Sequence, residues 1–288
     1  MFKKLFFLLV LTSTTILMNA QTVEEILNNY FENTGGLEKW QSLESQRMEG
    51  KVFVQGMELP GTMTFAKPNK NRQEFSVQGM DIVQAYDGET AWGINPFQSG
   101  TEPQKLPAEM AEQMENQDFP SIYLNYKDNG HTLEFEGTEE VEGTECYKIK
   151  ATRKNGNVEY HFFDSEYYIP VMVRTTASSG PAKGQTSETF VGNYEEVDGM
   201  MMPFSIETKM NGQSMMKVTI SKVELNPEID ASIFAFPGEE VEAPEEAVEE
   251  VIEEEVIEAV ETTPVPGPVK KGEKDKKDKK KKSKKDKN

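Results

Sequence analysis

Asp87-Gly-Glu-Thr-Ala-Trp-Gly-Ile-Asn-Pro-Phe97 reads as a tight turn followed by a short strand. Asp-Gly between two apolar runs, Asp81–Tyr86 and Thr90–Asn95, is a hairpin signal, because aspartate and glycine tolerate the positive φ that a two-residue turn demands. The same grammar recurs at Asn129-Gly130, Asn155-Gly156 and Asn211-Gly212. Working outward from these turns gives further strands at Arg47–Gln55, Leu59–Ala66, Arg72–Gln78, Thr132–Glu140, Cys146–Lys154, Asn157–Asp164, Pro170–Thr176, Gln185–Tyr194, Phe204–Lys209 and Met215–Val223. Consecutive strands with short connections make an antiparallel meander, since parallel neighbours would need crossover helices that this sequence lacks.

Helices are few. Thr22-Val-Glu-Glu25 fits a capping box, and Val23, Ile26, Leu27, Tyr30 and Phe31 then share one helical face. Thr34-Gly-Gly36 ends that helix, and Leu37, Trp40 and Leu43 predict a second short turn. A helical insertion at Pro107–Glu115, carrying Met110 and Met114, interrupts the meander and is expected to cover one sheet face. Alternation at Tyr160/Phe162, Val171/Val173, Phe190/Tyr194, Phe204/Ile206 and Met216/Val218/Ile220 gives the sheet apolar surface that two or three helices cannot cover. Either the sheet closes on its own side chains, or it curls into a half-barrel whose hollow is filled partly by helices and partly by a ligand. The fifteen Met suit either an adaptable cavity or gap-filling in an ordinary core.

Charge divides the 288 residues into three parts. The chain has 31 Lys+Arg against 50 Asp+Glu, a net −19, and a mean hydropathy of −0.63. Residues 1–20, with Lys3, Lys4, the apolar run Leu5–Leu11 and a small residue at Ala20, have the layout of a signal peptide, so the mature protein is expected to be exported and soluble in the periplasm. No cysteine follows the expected cut, which excludes lipidation there. The body, residues 21–238, is acidic and therefore unsuited to nucleic acid. Residues 239–288 run from a Glu-rich stretch through Thr263-Pro-Val-Pro-Gly-Pro268 to a Lys-rich arm, and are expected to be disordered. That arm has two readings, attraction to an anionic membrane surface or a solubilising extension.

The opening stretch resembles the Asp-Gly-x-Thr-x-Trp-x-x-Asn-Pro-Phe segment of periplasmic lipoprotein carriers, the LolA-like outer-membrane lipoprotein-sorting family. Phe65-Ala-Lys-Pro-Asn69, Asp164-Ser-Glu-Tyr-Tyr-Ile-Pro170 and Ile229-Asp-Ala-Ser-Ile-Phe-Ala-Phe-Pro237 follow in the order that family has them, so the resemblance spans roughly Thr22 to Pro237. It implies a mainly β fold, an unclosed antiparallel β-barrel with a helical lid (LolA/LolB-like), and a hollow that carries acyl chains. Where that family has a latching arginine before the proline this chain has Lys67, which keeps the charge and loses the bidentate fork.

The residues expected to line the cavity or its lid are Trp92, Ile94, Phe97, Met110, Met114, Phe162, Val171, Phe190, Phe204 and Met216, with Lys67 near the mouth. No catalytic residue, metal site or cofactor is expected: Cys146 is the lone cysteine, no phosphate-cradling glycine loop is present, and His131 and His161 sit in unlike contexts without an adjacent acid or nucleophile. The expected function is a non-enzymatic carrier or binding protein for an acylated ligand, lipoprotein or lipid, in outer-membrane biogenesis. The alternative is an envelope interaction or scaffold protein acting through its charged tail.

Overall fold

The computed structural model describes residues 21–54, 56–178 and 182–237. The expected leader and tail lie outside the described residues.

Helix α1 (Val23–Asn33) starts where Thr22 Oγ1 accepts the Glu25 amide at 3.1 Å. All five residues of its expected apolar face are buried, each worth about 1.5–3 kcal/mol when fully removed from water. Helix α2 (Leu37–Gln41) follows, and buries Trp40, whose indole donates to Thr34 Oγ1 at 2.9 Å. Gly35 between them has φ +118°, and a Cβ there would fall 2.5 Å from the Gly199 carbonyl, so this corner admits only glycine.

The strands are β1 (Ser45–Val54), β2 (Met57–Ala66), β3 (Lys70–Val77), β4 (Met80–Tyr86), β5 (Ala91–Asn95), β6 (Gly100–Lys105), β7 (Thr132–Val141), β8 (Thr144–Thr152), β9 (Val158–Asp164), β10 (Pro170–Thr176), β11 (Thr186–Val197), β12 (Met200–Met210) and β13 (Gln213–Leu225), with helix α3 (Ala108–Glu115) between β6 and β7. They form one antiparallel sheet in the order β6-β5-β4-β3-β2-β1-β13-β12-β11-β10-β9-β8-β7. The sheet does not close, as expected of a half-barrel. All the expected strands are present. Strand β6 was not foreseen, because Pro103 breaks the pattern; it is tolerated because β6 is an edge and one side of its backbone needs no partner.

Paired residues in an antiparallel ladder point the same way, so register assigns the faces. Met48 pairs with Met63 and Val223, and Val52 with Leu59 and Val218; Val218 in turn pairs with Ile206. This inner face packs against α1 and α2 in the main core, which also holds Ile149, Phe163, Met200, Met202 and Phe204.

The outer face carries two smaller cores. Phe162 pairs with Met172, and Met172 with Phe190; with Val141 and Cys146 they form one cluster, edged by Arg174 over the Phe162 ring at 4.8 Å and Lys209 over the Phe190 ring at 4.2 Å. Val83, Ala85 and Trp92 form the other. The segment after β13 straps it down: Trp92 Nε1 donates to the Phe234 carbonyl at 2.7 Å, Arg72 to the Ile233 carbonyl at 2.7 Å, and Phe236 meets the Trp92 ring edge-on.

Candidate functional site: an open trough behind a helical strap

Helix α1 covers only part of the inner face. Register carries that face on to Val54, Met57, Leu59, Phe75, Met80, Ile206, Met210 and Met216, at the strand ends that α1 does not reach. None of these is fully buried, and Met57, Met80 and Met216 are 45%, 40% and 37% exposed. Gly61 faces the same way, and a Cβ there would strike the Phe75 ring at 2.6 Å, so the missing side chain leaves room for the aromatic. The result is a shallow trough, apolar and methionine-edged, continuous with the core. Unbranched thioethers re-pack against different shapes with little strain.

The two edge strands β6 and β7 are joined by residues 106–131, so this connection runs from one arm of the sheet to the other. Its helix α3 lies on the inner face, where Met114 packs against Tyr86 and Ala91. On the β2–β3 side Asn69 donates to the Glu115 carbonyl at 2.8 Å, Asn71 to the Met114 carbonyl at 3.0 Å, and Gln73 to Gln117 at 3.1 Å. On the β8–β9 side Glu112 accepts from Asn157 at 2.6 Å and Asn155 at 3.1 Å, and Lys154 pairs with Glu115 at 3.0 Å. The helix is thus a strap tied to both arms. It divides the mouth into a cleft of about 330 Å³, lined by Lys67, Asn69, Phe119, Asn129 and His131, and one of about 450 Å³, lined by Glu109, Glu112, Glu159, Thr175, Ser187 and Met210; Asn116 and Arg153 border both.

Beneath the strap runs a buried polar chain that the sequence reading missed. Arg153 pairs with Asp118 and, at 2.8 Å, with Glu159; Glu159 faces His161 Nε2 at 3.1 Å; and the Tyr123 hydroxyl meets His161 Nδ1 at 2.8 Å. Burial holds the Tyr123 phenol well above its ordinary range, so it keeps its proton and donates to Nδ1, leaving an Nε2–H for Glu159. Burial also works to raise the Glu159 carboxyl, but the hydrogen bond from His161 and the Arg153 charge overcome it and hold that carboxyl below its usual value. His131 lies 3.6 Å from Asp118. The expectation that neither histidine has an adjacent acid is therefore corrected: Asp118 is distant in sequence, and Glu159 reaches His161 because i and i+2 share a strand face. Among the described residues no cluster of His, Cys, Asp and Glu has the geometry to hold a metal ion.

The expected site residues scatter. Met114, Phe204 and Met216 lie on the inner face, Met114 and Phe204 in packed core and Met216 at the trough edge. Met110 is half-buried on α3. Trp92 and Ile94 lie on the outer face under the C-terminal strap, and Phe162, Val171 and Phe190 belong to the other outer cluster. Phe97 is exposed in the β5–β6 turn, 48% accessible. Lys67 borders the smaller cleft and donates to the Gln41 carbonyl at 2.7 Å and to Glu44 at 2.9 Å, which ties β2 to the α2–β1 connection; it is the neighbouring Asn69 that holds α3.

No protein-family model matches the sequence, and no curated protein does. Solved structures match the fold. A LolA superfamily protein from Nitrosomonas europaea superposes with a TM-score of 0.51 at 12% identity, over 75% of this chain and 98% of that one. A DUF1329 family protein from Desulfovibrio piger gives a TM-score of 0.51 at 12% identity, over 74% of this chain and 97% of the other. The chain has the LolA-like open-barrel fold, as its motifs led us to expect.

Proposed function

We propose that this protein is an exported, non-enzymatic carrier or binding protein for an acylated ligand, lipoprotein or lipid, and that the trough is where the acyl chain lies. The observation that carries this reading is the uncovered stretch of inner face at Val54, Met57, Phe75, Met80 and Met216: apolar surface left open beside a core that is otherwise closed. Met216, from the residues expected at the sequence level, belongs to this site. Native mass spectrometry of the protein purified from its own envelope tests the reading: co-purifying lipid or lipoprotein supports it, and a ligand-free protein that also fails to take up a fluorescent apolar probe would sink it.

A further inference from the structure

The two clefts beside α3 differ in chemistry. In the larger, of about 450 Å³, the charged lining is Glu109, Glu112 and Glu159 against Arg153 alone. That guanidinium is paired with Asp118 and Glu159 and is buried. Asn116, Asn157, Thr175, Ser187 and Gln185 complete the lining without adding charge; Asn157 Oδ1 accepts from Ser178, Asn116 Oδ1 from Asn155, and the Thr175 and Ser187 hydroxyls bond each other, which leaves the carboxylates as the groups open to a donor. Glu159 is nine-tenths buried, and Glu109 on the exposed face of α3 makes no ion pair among the described residues. Met210 lines this cleft and continues the inner face that carries Ile206 and Met216, so apolar trough and acidic cleft meet at one residue.

From this continuity we infer that the larger cleft receives the polar head of the ligand, and that it selects a head bearing an unblocked ammonium group over a carboxylate or phosphate head. The inference rests on the trough as the acyl site. An ammonium offers only donors, which is what carboxylates require; an anionic head would bring like charge to a low-dielectric cleft whose one cation is already committed.

Three amphiphiles of equal chain length, dodecylamine, dodecanol and dodecanoate, used below their micelle concentrations to displace a fluorescent apolar probe from the full-length protein, test it. Dodecylamine should displace the probe about tenfold more effectively than dodecanoate, with dodecanol between them. In Glu109→Gln/Glu112→Gln the preference should collapse; the amide introduced at position 112 keeps a carbonyl for Asn155 and Asn157, and circular dichroism confirms the fold. Glu109→Lys should reverse it. The outer-face control Glu49→Gln/Glu74→Gln should leave it unchanged. Equal displacement by amine and carboxylate, or an equal loss in the outer-face control, would overturn the head-group assignment alone. Failure of all three amphiphiles to displace the probe would overturn the acyl site with it.

Discussion

Arg153 and Glu159 lie 2.8 Å apart in the interior of the half-barrel, and each is more than nine-tenths buried. Asp118, on the connection that crosses the mouth, shares the same guanidinium. One side chain thus joins the strap to the sheet. Replacing it by Met would leave two carboxylates facing each other without a counter-charge, at a cost of about 3–5 kcal/mol. Urea denaturation should show the midpoint fall with an unchanged slope, and Arg153→Lys should recover only part of the loss, because lysine cannot bridge both partners with a planar fork.

Stability should also depend on acid in a definite direction. The Glu159 carboxyl is held below its ordinary value of 4.5 against the effect of burial, and Glu139 is lowered chiefly by its hydrogen bond from Arg174. A lowered folded-state value means that the native protein binds fewer protons than the unfolded chain just below pH 4.5, so this stabilisation is complete above that range and is lost as pH falls through the lowered values. Urea midpoints measured from about pH 7 down to about pH 3 should decline, and Glu159→Gln should flatten that decline. An unaltered slope in the variant would count against Glu159 as its source.

Cys146 is fully buried, and burial pushes its thiol up to about 11. The native protein should therefore resist a thiol reagent at about pH 8 and react stoichiometrically once unfolded in guanidinium. Rapid labelling of the folded protein would show that the outer cluster opens.

The trough methionines are exposed enough to alter without harm to the fold. Met57→Glu and Met216→Glu should each leave stability within about 0.5 kcal/mol, since neither fills packed core. Both should weaken uptake of an apolar probe several-fold, whereas Met172→Val, in the outer cluster, should change stability and leave uptake intact.

The C-terminal strap should loosen when one of its two side-chain donors is lost. Trp92→Phe removes the donor to the Phe234 carbonyl, and leaving that buried acceptor unpaired costs about 1–3 kcal/mol. Limited proteolysis after residue 226 should become faster in the variant.

Much of this architecture was legible in the sequence because its signals are local. Asp87-Gly88, Asn155-Gly156 and Asn211-Gly212 do turn hairpins, and the spacing from Val23 to Phe31 marked the face of α1; Asn129-Gly130, expected to do the same, instead ends the connection that leads into β7. Face assignment beyond β9 was not legible: Phe162 and Phe163 are adjacent and both fully buried, so alternation could not say which side holds the hollow. The same blindness placed Trp92 and Ile94 with the cavity, when the segment that covers them arrives from residues 229–237. Nor could the Arg153 chain be foreseen, since Asp118, Tyr123 and Glu159 meet only after the mouth is crossed.

The pairing of β1 with β13 sets a constraint on assembly. Each half of the chain can form its own meander from local turns, yet the ladder that unites them joins Gln46 to Leu225 and waits for the last strand to be available. Long-range closure of this kind is slow. Until it happens the half that begins at β1 exposes an unpaired strand edge, and α1, synthesised first, has only half of its eventual partners to lean on.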